Sequence, residues 1–257
     1  MGQGRREKRG WPLTVCVIVL RPLLTALTRR SFRGAENLPE GGFIFAANHI
    51  SHADPLLFAH FVNDSGYSPH FLAKASVTQM PVLGRFIRST GQITVHRGGA
   101  EAAQAYRDAV LAIGRGASVI VYPEGTITRD PDLWPMVGRT GVARIALETG
   151  CPVIPCGQWG AHEVLPPYAK RPHLIPRKVN RVQAGPPVDL TDLQGRPVTA
   201  EVLRLATDRI MSAIADQLGE IRGHTPPAKR YDPRRRSDPL SDDPRSGEAD
   251  QAPGGTG

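Results

Sequence analysis

GFIFAANHISHADPLLFAHFV, residues 42–62, joins a short apolar run, a polar loop and a second apolar run without a gap. The first part, Gly42 to Ala47, is an apolar segment of strand length. The last part, Pro55 to Val62, opens on a proline. That residue suits the first helical position, because its fixed φ is helical and its missing N–H would find no partner there anyway. Asp54 stands where an N-cap is expected. A strand that passes through a tight loop into a helix is half of a βα unit.

The alternation continues outward. Strands are expected at His70 to Ala73, Gln92 to His96, Ala117 to Tyr122, Val153 to Gln158 and Val179 to Ala184. Helices are expected near Pro81 to Thr90, Ala100 to Ile113, Arg139 to Thr149 and Ala200 to Ile221. The last of these carries Val202, Leu205, Ala206, Ile210, Ile214 and Leu218 at helical spacing, which gives it one apolar face. Such alternation predicts an α/β fold with a mixed, largely parallel sheet flanked by helices.

The two ends differ from this middle. Residues 1–33 hold eight Arg or Lys and one Glu, whereas residues 34–221 hold equal numbers of basic and acidic residues. The high isoelectric point of 9.9 therefore belongs mainly to the N-terminal arm. A neutral middle argues against a nucleic-acid-binding core, which needs a basic stripe with interleaved aromatics. A basic arm beside an apolar stretch suits an anionic membrane surface. The apolar run from Trp11 stops at Leu20, before Arg21 and Pro22. A span needs about 20 apolar residues, so an interfacial or re-entrant helix is expected over residues 11–28, with Arg21 reaching toward headgroups. A core helix, a span or a signal segment are the alternatives. From about Gly223 the chain is rich in Pro, Gly, Asp and Arg and almost lacks aliphatics, which predicts a disordered tail. The expected division is a basic arm and interfacial helix over 1–30, an α/β domain over 31–221 and a tail over 222–257. Cys16, Cys151 and Cys156 form no CxxC pair and read as free thiols.

The chemistry centres on Asn48-His49-Ile50-Ser51-His52-Ala53-Asp54-Pro55. On a helix, His49 and Asp54 would stand about 140° apart; in a strand-to-helix loop they can meet. The plain alternative is a turn histidine and a helix cap. There is no GxSxG elbow to supply a serine nucleophile. Transfer of an acyl group from a thioester to a hydroxyl needs only a base for the hydroxyl and donors for the oxyanion. His49 can be that base, with Asp54 holding its tautomer. His52 lacks the further ligands that a metal site would need, so no metal is expected.

The string NHxSxxDP resembles the first motif of the glycerolipid acyltransferases, whose defining pair is His-x4-Asp. Three further stretches match that family in order. Gly91 to Arg97 (GQITVHR) resembles the second motif, with His96 where an acidic residue is usual and Thr94 where an aromatic is usual. Tyr122 to Thr128 (YPEGTIT) resembles the third, with Ile127 where an arginine is usual. Cys151 to Cys156 (CPVIPC) resembles the weaker fourth. The resemblance runs from about Ser31 to Ile221.

It implies an enzyme that moves a fatty acyl group from acyl-CoA or acyl carrier protein to 1-acylglycerol-3-phosphate, forming phosphatidic acid in phospholipid biosynthesis. The same chemistry on another lysophospholipid or a glycolipid is the alternative. His49 and Asp54 would be catalytic. Arg97, Glu124, Gly125 and Thr126 would bind the acceptor, with Lys74 near its phosphate. Arg129 is two positions past Ile127, and in an extended segment such positions point the same way; Arg129 would then stand in for the missing arginine, with a surface pair to Asp130 or Asp132 as the alternative. No cofactor beyond the thioester co-substrate is implied. The expected partners are a membrane lipid surface, the lysolipid acceptor and the acyl donor. The expected location is the cytoplasmic face of the cell membrane, peripheral or monotopic.

Overall fold

The structure, a computed structural model, describes residues 11–74, 93–95, 99–167, 169 and 171–234. Helix α1 (Trp11–Leu27) runs directly into strand β1 (Thr28–Arg33). There follow β2 (Phe43–Ala47), α2 (Asp54–Asp64), β3 (His70–Lys74), β4 (Ile93–Val95), α3 (Gly99–Gly114), β5 (Ser118–Val121), α4 (Gly141–Thr149), β6 (Val153–Trp159), α5 (Ala161–Val164), β7 (Lys178–Ala184) and α6 (Ala200–Arg222). The helix expected over Pro81 to Thr90 lies outside the described residues.

The strands form one sheet in the order β1-β7-β6-β2-β5-β3-β4. Strands β6, β2, β5, β3 and β4 run parallel. β7 is antiparallel to β6 and carries β1 parallel to itself. The fold is the expected α/β class with a mixed, largely parallel sheet.

The central strand β2 shows how the core divides. All five of its side chains are buried, and successive side chains leave opposite faces. Phe43, Phe45 and Ala47 join Phe58, Phe61 and Val62 of α2. Ile44 and Ala46 join Ala105 and Ala109 of α3, Val142 and Ala146 of α4, and Ala206, Ile210 and Ile214 of α6. Each full apolar side chain buried there contributes roughly 1.5–3 kcal/mol. The buried face of α6 includes Leu203 and Met211, while Leu205, expected inside, is exposed. Thr199 caps α6 by accepting the N–H of Val202, and Gly223 ends it with φ 67°.

Three features differ from the sequence reading. β1 is Arg-rich and straddles the expected break at residue 30. It is a strand because β7 supplies the pairing, and its edge place leaves Arg29, Arg30 and Arg33 exposed. In α1, Pro22 sits inside the helix on an exposed side. Arg21, expected to reach outward, instead donates to Asp64 Oδ1 at 2.8 Å, and Arg30 donates to Asp64 Oδ2 at 2.6 Å. The helix is thereby tied to the end of α2. The chain after residue 222 also stays on the core for a stretch. Tyr231 C=O accepts the N–H of Val137 at 3.0 Å, and the Arg230 guanidinium bonds Asp208 and Ser212. Residues 224–231 are thus held by polar bonds that a hydropathy pattern does not register. Among the described residues, no helix is long and apolar enough to cross a membrane.

Candidate active site

The loops after β2 and β5 leave the carboxyl ends of two adjacent parallel strands, where open α/β sheets tend to place their sites. Ala46 pairs with Val121 across this edge, so the 48–53 loop and the turn after Val121 emerge side by side.

Within the first loop, His49 Nδ1 lies 2.7 Å from Asp54 Oδ2. The same oxygen accepts the N–H groups of Ile50 at 2.6 Å and Ser51 at 2.8 Å. Asp54 therefore does not cap its own helix. The N-cap is Ala53, and the carboxylate turns back into the loop that precedes it. The Asp54 side chain is fully buried and that of His49 is 16% exposed. Burial pushes the Asp54 carboxyl up, while the His49 imidazole and the two amides pull it down. With Nδ1 engaged on Asp54, Nε2 is the nitrogen that remains to meet a substrate hydroxyl.

The turn over residues 122–128 wraps this loop from three directions. The Tyr122 ring stacks on the His49 ring with centroids 4.4 Å apart and 19° between planes. Glu124 Oε1 accepts the His49 N–H at 2.9 Å, and Thr128 N–H donates to the His49 carbonyl at 2.7 Å. The other Glu124 oxygen accepts the Met136 N–H at 3.0 Å. Glu124 is nearly fully buried, and burial pushes its carboxyl up to about 8 against the opposing pull of the Met136 and His49 amides. Its two oxygens thus tie together two backbone segments, those of His49 and Met136. Behind the loop, Asn48 and Gln158 exchange side-chain and backbone bonds of 3.1, 2.8 and 2.5 Å.

The remaining candidates divide. Gly125 is exposed and takes φ 69°, as its place in the turn requires, but its N–H bonds Tyr122 C=O and is not free for an anion. Thr126 is half-buried. Lys74 ends β3, while its side chain, like Arg97 and His96, lies outside the described residues. Ile127 is 3% exposed and Arg129 is exposed. The two thus differ in burial, one in the core and one at the surface. Arg129 forms no ion pair among the described residues. Asp130 Oδ1 accepts the amides of Asp132 and Trp134 instead. No group of three potential metal ligands occurs among the described residues.

Two residues of the site were given no role by the sequence reading: Tyr122, which heads the third motif and stacks on the imidazole, and Arg139 over Gly125. A Cβ built on Gly125 would fall 2.9 Å from Arg139 Nε.

Comparison with known proteins places this geometry in context. A family model described as Acyltransferase matches residues 29–159, from β1 to the last residue of β6. The chain is 28% identical over 141 residues to a chloroplastic 1-acyl-sn-glycerol-3-phosphate acyltransferase of Brassica napus, covering 54% of this chain and 39% of that protein. It is 32% identical over 129 residues to the 1-acyl-sn-glycerol-3-phosphate acyltransferase of Borreliella burgdorferi, covering 48% of each. It is 31% identical over 119 residues to the lyso-ornithine lipid O-acyltransferase of Pseudomonas aeruginosa, covering 46% of this chain and 43% of that protein. The matched regions span less than half the length of each of these relatives. The fold is similar to that of the 1-acyl-sn-glycerophosphate acyltransferase of Thermotoga maritima, with a TM-score of 0.63, 24% identity, and coverage of 82% of this chain and 80% of that one. The chain belongs to the acyltransferase family, among the glycerolipid acyltransferases.

Proposed function

We propose that the protein transfers a fatty acyl group from acyl-CoA or acyl carrier protein to the free hydroxyl of 1-acylglycerol-3-phosphate, giving phosphatidic acid. The observation that carries this reading is the 2.7 Å contact between His49 Nδ1 and the buried Asp54 carboxylate. His49 Nε2 takes the proton of the acceptor hydroxyl, and the oxygen attacks the thioester carbonyl. As the carbon–sulfur bond breaks, the imidazolium returns the proton to the leaving thiolate. Asp54 holds the tautomer and offsets the transient positive charge. Nothing in this cycle calls for a cofactor other than the thioester itself.

A second acceptor class has a specific observation in its favour. Ile127 is buried where the family usually has an arginine, and one relative is named for lyso-ornithine lipid. Thiol release from acyl-CoA, measured with a panel of lysolipids, tests both readings. The first expects the highest rate with 1-acylglycerol-3-phosphate. A higher rate with a lyso-ornithine lipid, or with another lysolipid, would replace it with the second.

The substrates are lipids, and α1 offers a way to reach them. Trp11, Val15, Ile18, Val19 and Leu23 recur at helical spacing and are exposed. This face would lie in the cytoplasmic interface of the membrane as a peripheral or monotopic contact, with the basic arm against anionic headgroups. Because the face is already exposed, an Ile18→Glu, Val19→Glu protein should fold normally and co-sediment poorly with anionic vesicles. Equal co-sedimentation of variant and wild type would remove α1 from the contact.

A further inference from the structure

We propose that Arg139 is a ligand of the acceptor's phosphate, taking over from the arginine that Ile127 replaces. The inference rests on the acceptor reading above and names a residue for it.

The argument starts from the turn that surrounds His49. In 1-acylglycerol-3-phosphate, the reacting hydroxyl and the phosphate are on neighbouring carbons of one glycerol. A phosphate ligand must therefore stand within a side chain's reach of His49. The 122–128 turn meets that condition, because Tyr122, Glu124 and Thr128 all touch His49 directly.

Arg139 lies on this turn. Its backbone N–H donates to Pro123 C=O at 2.8 Å, which fixes where the side chain begins. The side-chain end then lies against Gly125. A Cβ there would stand 2.9 Å from Nε, 3.1 Å from Cδ and 3.5 Å from Cζ of Arg139. Only glycine both tolerates the φ of 69° and leaves this space for the guanidinium.

Among the described residues the guanidinium has no anion of its own. Arg139 is exposed and forms no ion pair among the described residues. The carboxyl next to Gly125, that of Glu124, faces inward with both oxygens on backbone amides. A planar cation held over a glycine turn, with its N–H fork uncommitted among the described residues, suits bidentate contact with a phosphate. Ile127 is buried where the family usually has an arginine, Arg129 is exposed, and Arg97 lies outside the described residues.

Steady-state kinetics on the full-length protein test the proposal, with acceptor and donor varied in turn. Arg139→Ala should raise the Michaelis constant for 1-acylglycerol-3-phosphate by roughly tenfold or more, the factor expected for loss of a charged hydrogen bond. The constant for acyl-CoA should not move. Arg139→Lys should recover part of the loss, because it keeps the charge without the fork. Glycerol 3-phosphate, used as an inhibitor, should weaken in parallel. A melting curve on each variant shows that the fold is kept. If wild type uses 1-acylglycerol-3-phosphate and Arg139→Ala leaves its constant unchanged, or if Arg129→Ala raises it and Arg139→Ala does not, the assignment is overturned while the acceptor reading stands. If wild type acylates only phosphate-free lysolipids, the acceptor reading fails and the ligand assigned to Arg139 fails with it.

Discussion

His49→Ala protein is expected to fold with a melting temperature close to wild type and to lose at least ~10²-fold in turnover, the range typical of a general base. The folding half of this expectation comes from Asp54. When the imidazole is gone, its carboxylate still accepts the Ile50 and Ser51 amides. The loop therefore keeps these two backbone anchors. The kinetic half comes from chemistry. A glycerol hydroxyl is a poor nucleophile at neutral pH, and no other base touches Asp54 among the described bonds. Purified variant, assayed for thiol release beside a melting curve, separates the two. Near-normal turnover would remove His49 from the mechanism.

The second large effect is expected at Glu124. Its two oxygens accept amides from His49 and Met136, groups that lie on different loops. Glu124→Gln keeps the shape but offers one acceptor where there were two, and it turns an amide N–H₂ toward one of the donors. A buried donor left unsatisfied costs roughly 1–3 kcal/mol, which for a chain of this size lowers the melting temperature by roughly 2–10 °C. Because His49 loses its backbone anchor, the maximal rate should fall while the acceptor's Michaelis constant stays. A raised acceptor constant with an unchanged maximal rate would return Glu124 to the acceptor site.

The same group has a pH signature. Its carboxyl is raised from 4.5 to about 8 in the folded protein. The stability it contributes is therefore full below 4.5, where both states are protonated, and is lost as pH rises through about 8. Glutamine cannot ionise. The stability gap between wild type and Glu124→Gln should accordingly narrow between pH 6 and pH 9, as read from denaturation at each pH. A gap that widens over that interval would show that the folded protein prefers the carboxylate.

How much of this was legible in the sequence depended on whether the decisive contacts were local. β2, the following loop and α2 could be read because apolar runs mark both elements and the His49–Asp54 pair spans five positions of one loop. The remaining strands flanked by apolar runs could be read for the same reason. β1 could not, since Thr28–Arg33 carries three arginines and becomes a strand only through β7, 150 residues later in register. The backbone partners of Glu124 could not be read because they are 75 positions before and 12 after it. Arg139 gave no signal, because nothing in its spacing from Gly125 announces that one covers the other. Arg129 was placed by assuming an extended segment, whereas Ile127 and Arg129 part company between core and solvent. The tail was judged by its lack of aliphatics, yet Arg230 and Tyr231 are held by polar bonds.

The central claim is that the His49–Asp54 pair moves an acyl group directly from a thioester to a lysolipid hydroxyl. Simultaneous measurement of thiol release and phosphatidic acid formation, with acyl-CoA and 1-acylglycerol-3-phosphate, addresses it without intermediaries. The account predicts equimolar thiol and phosphatidic acid, with thiol release at background when the acceptor is omitted. Thiol release that proceeds at the same rate without acceptor, and yields free fatty acid in place of phosphatidic acid, would contradict it.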